Sequence, residues 1–248
     1  MSAQETIFDT IFGRLDWSGR PAILGERACT YGELLARAEK LSQAITKCGV
    51  HGATIGVAIP PSLDYVTALL AVYLAGGVLV PMNPNATANE KGHVLADCGA
   101  RLFITTGNGA GTGEFPSPQR ETAWNDLRLL TLTPGDAAAP QKDDYCIVYT
   151  SGSTSRPKGV VLGLDAISAN IRAIADDLRL TPDDKSIVFT PPAYTYALSQ
   201  TLTHLGAGGA ILPWPHGLMY PAQILKAIAA ERLTGLAANP TSMRMFLS

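Results

Sequence analysis

The sequence predicts an α/β protein in which layers of parallel sheet are flanked by helices. Short strand-like runs alternate with helix-like stretches along most of the chain. The helix-like stretches repeat their apolar residues at intervals of three and four, as one buried helical face requires. With 248 residues, the chain is also long enough to bury one or two sizeable cores. Repeated strand–helix alternation favours parallel pairing through right-handed crossovers.

The first half of the chain contains the clearest alternation. A surface helix is predicted over residues 34–50, where Leu35, Ala38 and Leu41 begin an apolar stripe. Strands are then predicted at 53–59, 78–81 and 102–105, and helices at 62–75 and 88–96.

The middle of the chain changes character. Residues 107–141 are rich in Gly, Pro, Ser and Thr, which predicts a looser surface connection open to proteolysis, with a strand-like island at 129–132. Beyond it, strands are predicted at 145–150, 186–190, 210–212 and 236–239, and helices at 165–178 and 221–230.

The helix predicted at 165–178 is supported by its periodicity. Asp165 is expected to supply the N-cap oxygen. One apolar face is expected to pack on the sheet, formed by Ile167, Ile171, Ile174 and Leu178.

Composition excludes several classes of protein. Lys and Arg number 19 against 21 Asp and Glu, a formal charge of -2, so no basic field attracts nucleic acid. The four cysteines form no CxxC pair, which argues against a zinc site and favours buried, reduced thiols. The apolar stretch 65–82 is interrupted by Gly76 and Gly77, so no membrane partner is expected. The N-terminus lacks the pattern of a secretory signal, so a cytoplasmic location is expected.

The most informative segment is YTSGSTSRPKGV, which starts at the end of an apolar strand and is expected to lead toward a helix. Hydroxyl side chains surround Gly152, where the missing side chain lets backbone N–H groups approach an anion. Lys158 adds a positive point charge. At the carboxyl edge of a parallel sheet such a loop lies where open α/β folds bind ligands. Its composition predicts a phosphate-binding loop.

This loop differs from GxxxxGK[ST], because Gly159 follows the lysine and Pro157 prevents an immediate helix start. It resembles the TSGSTGxPKGV signature of the adenylate-forming superfamily, which includes acyl-CoA synthetases, aryl acid ligases and adenylation domains. Weaker resemblances are TYGEL, AGGVLVPMNP, PPAYTYALS and NPT, which occur in the family's order across essentially the whole chain.

The resemblance implies an activity and a set of site residues. ATP, with Mg²⁺, activates a small carboxylic acid to an acyl-adenylate, which is passed to CoA or to the phosphopantetheine of a carrier protein. Lys158 is implied as the catalytic residue that clamps the triphosphate. The implied nucleotide-binding residues are Thr150, Ser151, Gly152, Ser153, Thr154 and Lys158. No protein-bound metal ligand is implied.

The chain also departs from the family pattern. Ser155 stands where the signature has glycine. The family's adenine-binding and magnesium-coordinating YGxTE segment, ribose-binding aspartate and mobile C-terminal domain have no counterpart in residues 1–248. We therefore expect the large N-terminal domain of the adenylate-forming fold in truncated form, inactive in adenylation by itself.

The segment AYTYALS indicates the acid. Aligned with the AHNYPLS pattern of aryl acid ligases, Tyr194, Thr195 and Tyr196 line the implied acid pocket. No carboxylate is then available for an α-ammonium group, and two tyrosines suit an aromatic acid.

Three alternatives remain open. A dinucleotide-binding oxidoreductase is weakly indicated by the glycines that follow a strand, although their spacing is GxGxGxG: Gly107, Gly109, Gly111 and Gly113. A serine acyltransferase of the SxxK type is indicated by Ser155 and Lys158, although its companion motifs are missing. The third is a domain that binds nucleotide without turnover. Pyrophosphate release, compared with nucleotide binding, separates that domain from a catalyst.

Overall fold

The computed structural model describes residues 6–107, 116–133, 140–141, 143–150 and 157–247. The helices are α1 (Ile7–Gly13), α2 (Tyr31–Lys47), α3 (Leu63–Leu74), α4 (Ala88–Asp97), α5 (Leu164–Leu178), α6 (Thr195–Gly206), α7 (Pro221–Glu231) and α8 (Pro240–Leu247), with a 3₁₀ turn at Leu15–Trp17. The strands are β1 (Pro21–Ile23), β2 (Cys29–Thr30), β3 (Thr54–Ala58), β4 (Val78–Pro81), β5 (Leu102–Thr106), β6 (Arg120–Trp124), β7 (Leu127–Thr131), β8 (Asp144–Thr150), β9 (Lys158–Gly163), β10 (Lys185–Val188), β11 (Ala210–Pro213) and β12 (Gly235–Leu236).

The strands form two sheets. Within the described residues, one sheet has seven strands in the order β6-β7-β5-β3-β4-β8-β9, and the other has five in the order β12-β10-β11-β1-β2. The inner strands β5, β3, β4 and β8 are parallel, as are β12, β10, β11 and β1. Three of the four described sheet edges carry antiparallel pairs, β6 with β7, β9 with β8 and β2 with β1, whereas the edge strand β12 is parallel to β10. The predicted class of parallel layers flanked by helices is confirmed.

Helix α2 starts earlier than its apolar stripe predicts. The Thr30 hydroxyl accepts a hydrogen bond from the Glu33 backbone N–H, and the Glu33 carboxylate accepts one from the Thr30 backbone N–H, so the helix begins at Tyr31. The same reciprocal cap, made by Thr87 and Glu90, starts α4. Both helix starts are therefore fixed by local polar contacts.

Within the region 107–141, the described residues 116–133 form more regular structure than the composition predicts. They contain β6 and β7, which pair with each other and extend the sheet from β5. Strand β6 is an exposed edge with polar residues, so its hydrophobic signal is weak. The turn between the two strands places Asn125 at φ 49°, a left-handed conformation that asparagine tolerates.

Two predictions around α5 are wrong. Gly163 is the N-cap and makes no side-chain cap bond, so Asp165 lies in the first turn and is not the cap. Helix α5 packs mainly on α6, with smaller contacts to α1, β8 and β9, and Leu178 is 61% exposed, so it is not part of the packed face. The segment after Pro157 does lead to this helix, but through strand β9, which was not predicted and pairs with β8.

All four cysteines are free thiols, with Cys98 and Cys146 buried and Cys29 and Cys48 half-buried. Burial raises the pKa of the Cys98 thiol to about 11. Across the described ranges, no helix combines the length and hydrophobicity needed to cross a membrane.

Candidate functional site

A cleft of about 800 Å³ opens at the carboxyl ends of β4 and β8. Helix α4 forms one wall, and the turn before α6 reaches the cleft from the other sheet. The described lining residues are Pro81, Met82, Asn83, Asn85, Ala86, Asn89, Glu90, Lys91, His93, Val94, Tyr149, Thr150, Pro157, Ala193 and Tyr194. The edge of the sheet therefore carries the cavity where α/β folds bind ligands.

The predicted phosphate-binding segment is a β-hairpin. Thr150, the last residue of β8, is paired in register with Lys158, the first residue of β9. Thr150 and Pro157 line the cleft, and both Thr150 and Lys158 are exposed. The four other predicted nucleotide-binding residues, Ser151, Gly152, Ser153 and Thr154, lie outside the described residues.

Tyr149 fixes the base of this hairpin. Its hydroxyl donates a hydrogen bond to Asp97 Oδ2 at 2.5 Å, which joins β8 to the end of α4. Burial, and then the bond to Asp97, raise the pKa of the Tyr149 phenol. The hairpin and the α4 wall are thereby held together below the cleft.

Lys91 is a buried cation in the α4 wall. It is 2% exposed, and its Nζ donates to the carbonyl oxygen of Pro84 at 2.8 Å. Burial lowers the pKa of this ammonium, and the neighbouring Glu90 carboxylate opposes that shift. Sequence reasoning did not select Lys91. The sequence indicates the burial of Lys91 only by its position, three residues after Ala88 and four before Leu95 on one helical face.

The predicted acid-pocket residues start helix α6. Tyr194 lines the cleft and is 61% exposed. Thr195 and Tyr196 are the first residues of α6 and are exposed, but they are not among the described lining residues of the cleft. The structure therefore brings Tyr194 to the same cavity as Thr150.

The described residues of the cleft offer no magnesium site of their own. The described residues contain no group of three or more His, Cys, Asp and Glu side chains arranged to hold a metal ion. Glu90 is the acidic side chain among the described lining residues, and its Oε2 accepts hydrogen bonds from the Thr87 backbone and hydroxyl.

Comparison with known proteins identifies the family. A family profile described as AMP-binding enzyme matches residues 15–248. The chain belongs to the AMP-binding enzyme family. This membership agrees with the adenylate-forming resemblance of the hairpin sequence.

Two similar proteins are a synthase and a synthetase that are named for different products. Feruloyl-CoA synthase of Amycolatopsis is 32% identical over 229 residues, which cover 88% of this chain and 45% of that protein. Phosphinothricin tripeptide synthetase PhsC of Streptomyces viridochromogenes is 30% identical over 214 residues, 84% of this chain and 20% of that protein. The chain thus spans less than half of each relative.

A solved AMP-binding structure has the same fold. Apo MatB from Rhodopseudomonas palustris superposes with a TM-score of 0.79 at 25% identity, covering 99% of this chain and 52% of that one. The two-sheet arrangement described above therefore matches the corresponding half of MatB.

Proposed function

We propose that this chain is the N-terminal part of an enzyme that uses ATP to activate a small carboxylic acid as an acyl-adenylate. The acyl group then passes to CoA or to a carrier protein's phosphopantetheine. The observation that carries the proposal is the position of the β8–β9 hairpin, whose Thr150 and Pro157 line the same cleft as Tyr194. Membership of the AMP-binding family and its acyl-CoA and peptide synthetase relatives support it.

The reaction requires positioning more than covalent chemistry from the protein. The substrate carboxylate forms a bond to the α-phosphorus of ATP while the bond to the bridging oxygen breaks, and pyrophosphate leaves. In this proposal the Thr150 hydroxyl, the hydroxyls and amides of residues 151–154 and the Lys158 ammonium hold the β- and γ-phosphates. Lys158 is the catalytic residue because it stabilises charge that develops on the leaving pyrophosphate.

Closure around the nucleotide would increase the effect of Lys158. An ammonium 4 Å from a phosphate oxygen contributes about 1 kcal/mol in bulk water and about 4 kcal/mol at an effective dielectric constant near 20. Lys158 is exposed in this structure. Mg²⁺ would accompany ATP as its counter-ion, but the described residues do not fit a metal site, so no step is assigned to it.

The acid is proposed to be aromatic. Tyr194 presents a flat ring and a hydroxyl at the cleft, which suit a substituted aromatic ring. Thr195 and Tyr196 complete the proposed pocket from the start of α6. An α-amino acid substrate would need a carboxylate from the protein to bind its ammonium group. The segment 193–199 contains no Asp or Glu.

The test is ATP–pyrophosphate exchange by the complete protein that contains this chain. We expect exchange to depend on an aromatic acid and to fall by about 10- to 100-fold in Lys158→Ala, the loss of one charge-assisted contact. Lys226→Ala, on the exposed side of α7, is the matched control. Unchanged exchange in Lys158→Ala would contradict the assigned role, and exchange driven best by amino acids would contradict the proposed pocket.

The isolated chain of 248 residues gives a second test. It should bind nucleotide without catalysing exchange, because the proposal assigns part of the adenine site to other segments of a longer enzyme. Exchange by the isolated chain would show that the proposed division is wrong. Nucleotide binding without exchange in the complete protein would instead favour the non-catalytic binding domain.

A further inference from the structure

A second cavity, of about 380 Å³, lies at the amino end of the five-stranded sheet. Arg20 precedes β1, Lys185 and Ala210 are the first residues of β10 and β11, and Arg232 precedes β12. Because these four strands are parallel, their starting residues meet at one edge. This cavity shares no lining residue with the cleft at β4 and β8.

The lining of this cavity is strongly cationic. Arg20, Lys185 and Arg232 contribute three positive side chains, and Asp183 contributes one negative side chain. The whole chain has a formal charge of -2, so the local excess opposes the overall charge. Arginine forks and lysine ammonium groups are the side chains that bind phosphate and carboxylate oxygens in proteins.

Arg20 is held in place but retains bonding capacity. Its Nη2 donates to Asp183 Oδ1 at 2.8 Å and also to the Pro182 carbonyl oxygen. The Arg20 side chain is nonetheless 36% exposed and lines the cavity, so its guanidinium is open to an anion.

The acids near this cavity do not outweigh its cations. Asp184 is not among the described lining residues, and its carboxylate accepts hydrogen bonds from Thr181 and Thr234. Asp183 pairs with Arg20, and its side chain is 92% exposed to water. Among the described lining residues, three positive side chains therefore stand against one carboxylate.

We infer that this cavity binds a small phosphate-type oxyanion, with Arg20, Lys185 and Arg232 as its ligands. The inference goes beyond the proposed acid activation, because the site lies at the opposite end of β10 from the turn that contains Tyr194. Lys185 begins β10, and Tyr194 follows its carboxyl end. A phosphate or pyrophosphate ion fits within the volume and accepts hydrogen bonds from several donors at once.

Calorimetric titration with inorganic phosphate and with pyrophosphate tests the inference. The chain should contain Lys158→Ala, so that binding at the β8–β9 hairpin does not contribute. We expect one binding event that weakens at least tenfold in the double variant Lys185→Gln and Arg232→Gln. It should persist in Lys40→Gln with Lys226→Gln, which removes two exposed positive charges outside the cavity.

Several results would overturn the inference. The first is that neither phosphate nor pyrophosphate binds to the Lys158→Ala chain. The second is that the double variant Lys185→Gln and Arg232→Gln binds as tightly as the Lys158→Ala chain. The third is that the control variant loses as much affinity as this double variant. A parallel titration with citrate separates the anion classes, because binding of citrate without phosphate would contradict the phosphate assignment. If the double variant does not fold, Arg232→Gln alone, at an exposed side chain, must still weaken binding.

Discussion

The ring of Tyr149 covers Gly159, its register partner across the β8–β9 hairpin. A Cβ atom on Gly159 would lie 3.1 Å from Tyr149 Cζ and 3.0 Å from Ile147 Cγ2. The glycine in the PKG sequence is therefore required by packing, at the base of the loop that is proposed to hold phosphate. The hairpin's stability and its proposed function depend on the same contact.

Substitution Gly159→Val should displace Tyr149 and destabilise the hairpin. We expect a loss of about 1–3 kcal/mol in the free energy of unfolding, as for other overpacked sites, measured by urea denaturation. Gly19→Val is the matched control, because nothing in the described structure lies within 4 Å of a Cβ atom at that position. Equal effects of the two substitutions would contradict the packing argument.

Substitution Tyr149→Phe should keep the ring over Gly159 and remove the hydrogen bond to Asp97. The expected loss is about 0.5–1.5 kcal/mol of unfolding free energy, since Asp97 is exposed and can be rehydrated. The exposed Tyr220 provides the control, Tyr220→Phe. A stability equal to that of the unmodified chain would mean that the bond between β8 and α4 contributes nothing.

The carboxylate of Asp64 should be the most sensitive ion-pair site in the chain's first half. It is buried and accepts hydrogen bonds from the guanidinium groups of Arg27 and Arg37, which lie on a loop and on α2. Substitution Asp64→Asn leaves both arginines without their counter-ion, and we expect a loss of about 2–4 kcal/mol by thermal or urea unfolding.

The control for Asp64 is Asp16→Asn, which removes an exposed pair with Arg14. Exposed pairs contribute little because water and salt screen them. If Asp16→Asn destabilises the chain as much as Asp64→Asn, burial is not the cause of the difference.

His204 should make stability depend on pH. Burial lowers the pKa of this imidazole below 6.5, while its Nδ1 contact with the Gln200 carbonyl and the charge of Asp184 oppose that shift. In the unfolded chain the ring takes up a proton near pH 6.5, and in the folded chain only at lower pH. The unfolded state therefore binds more protons, and the free energy of unfolding should fall as pH decreases below about 6.5.

Urea midpoints measured at pH 7.5 and pH 5.5 test this expectation. The decrease in the urea midpoint from pH 7.5 to pH 5.5 should become smaller in His204→Gln. It should remain in His51→Gln, because the His51 side chain is exposed. Carboxyl groups whose pKa is lowered by folding, such as that of Glu90, change the free energy of unfolding only at more acidic pH, because the ordinary pKa of a glutamate is 4.5. A loss of the same size in His204→Gln would exclude His204 as its source.

The order of strands and helices was largely predictable, because buried parallel strands and amphipathic helices leave strong periodic signals. The prediction for β4 was correct at both ends, and those for α3 and α7 within one residue. Several elements were not predicted: strands β1, β2, β6 and β9, and helices α1, α6 and α8. Strands β6 and β9 lie at sheet edges, and β9 exposes Val160 and Val161 at 46% and 52%, so neither carries the one-sided pattern of a core strand.

Only part of the candidate site was predictable in the same way. Lys158 and Thr150 were selected from local chemistry, because hydroxyls, glycine and one lysine in a short segment favour phosphate. Lys91 was not, since a lysine inside a helical pattern is usually solvated, and its burial depends on the neighbouring strands. Thr195 and Tyr196 were predicted beside Tyr194, yet at the start of α6 they are not among the described lining residues of the cleft.

The sequence alone determined the α/β class and the family, and it predicts the chemistry of the hairpin, because these depend on residue types close together along the chain. Tertiary structure decided which distant residues share a cavity. Tyr194 reaches the cleft of Thr150, and Arg20, Lys185 and Arg232 meet at one sheet edge, only through the order in which the strands pair. Pairing between distant strands is set by burial summed over the whole fold, which no local pattern contains.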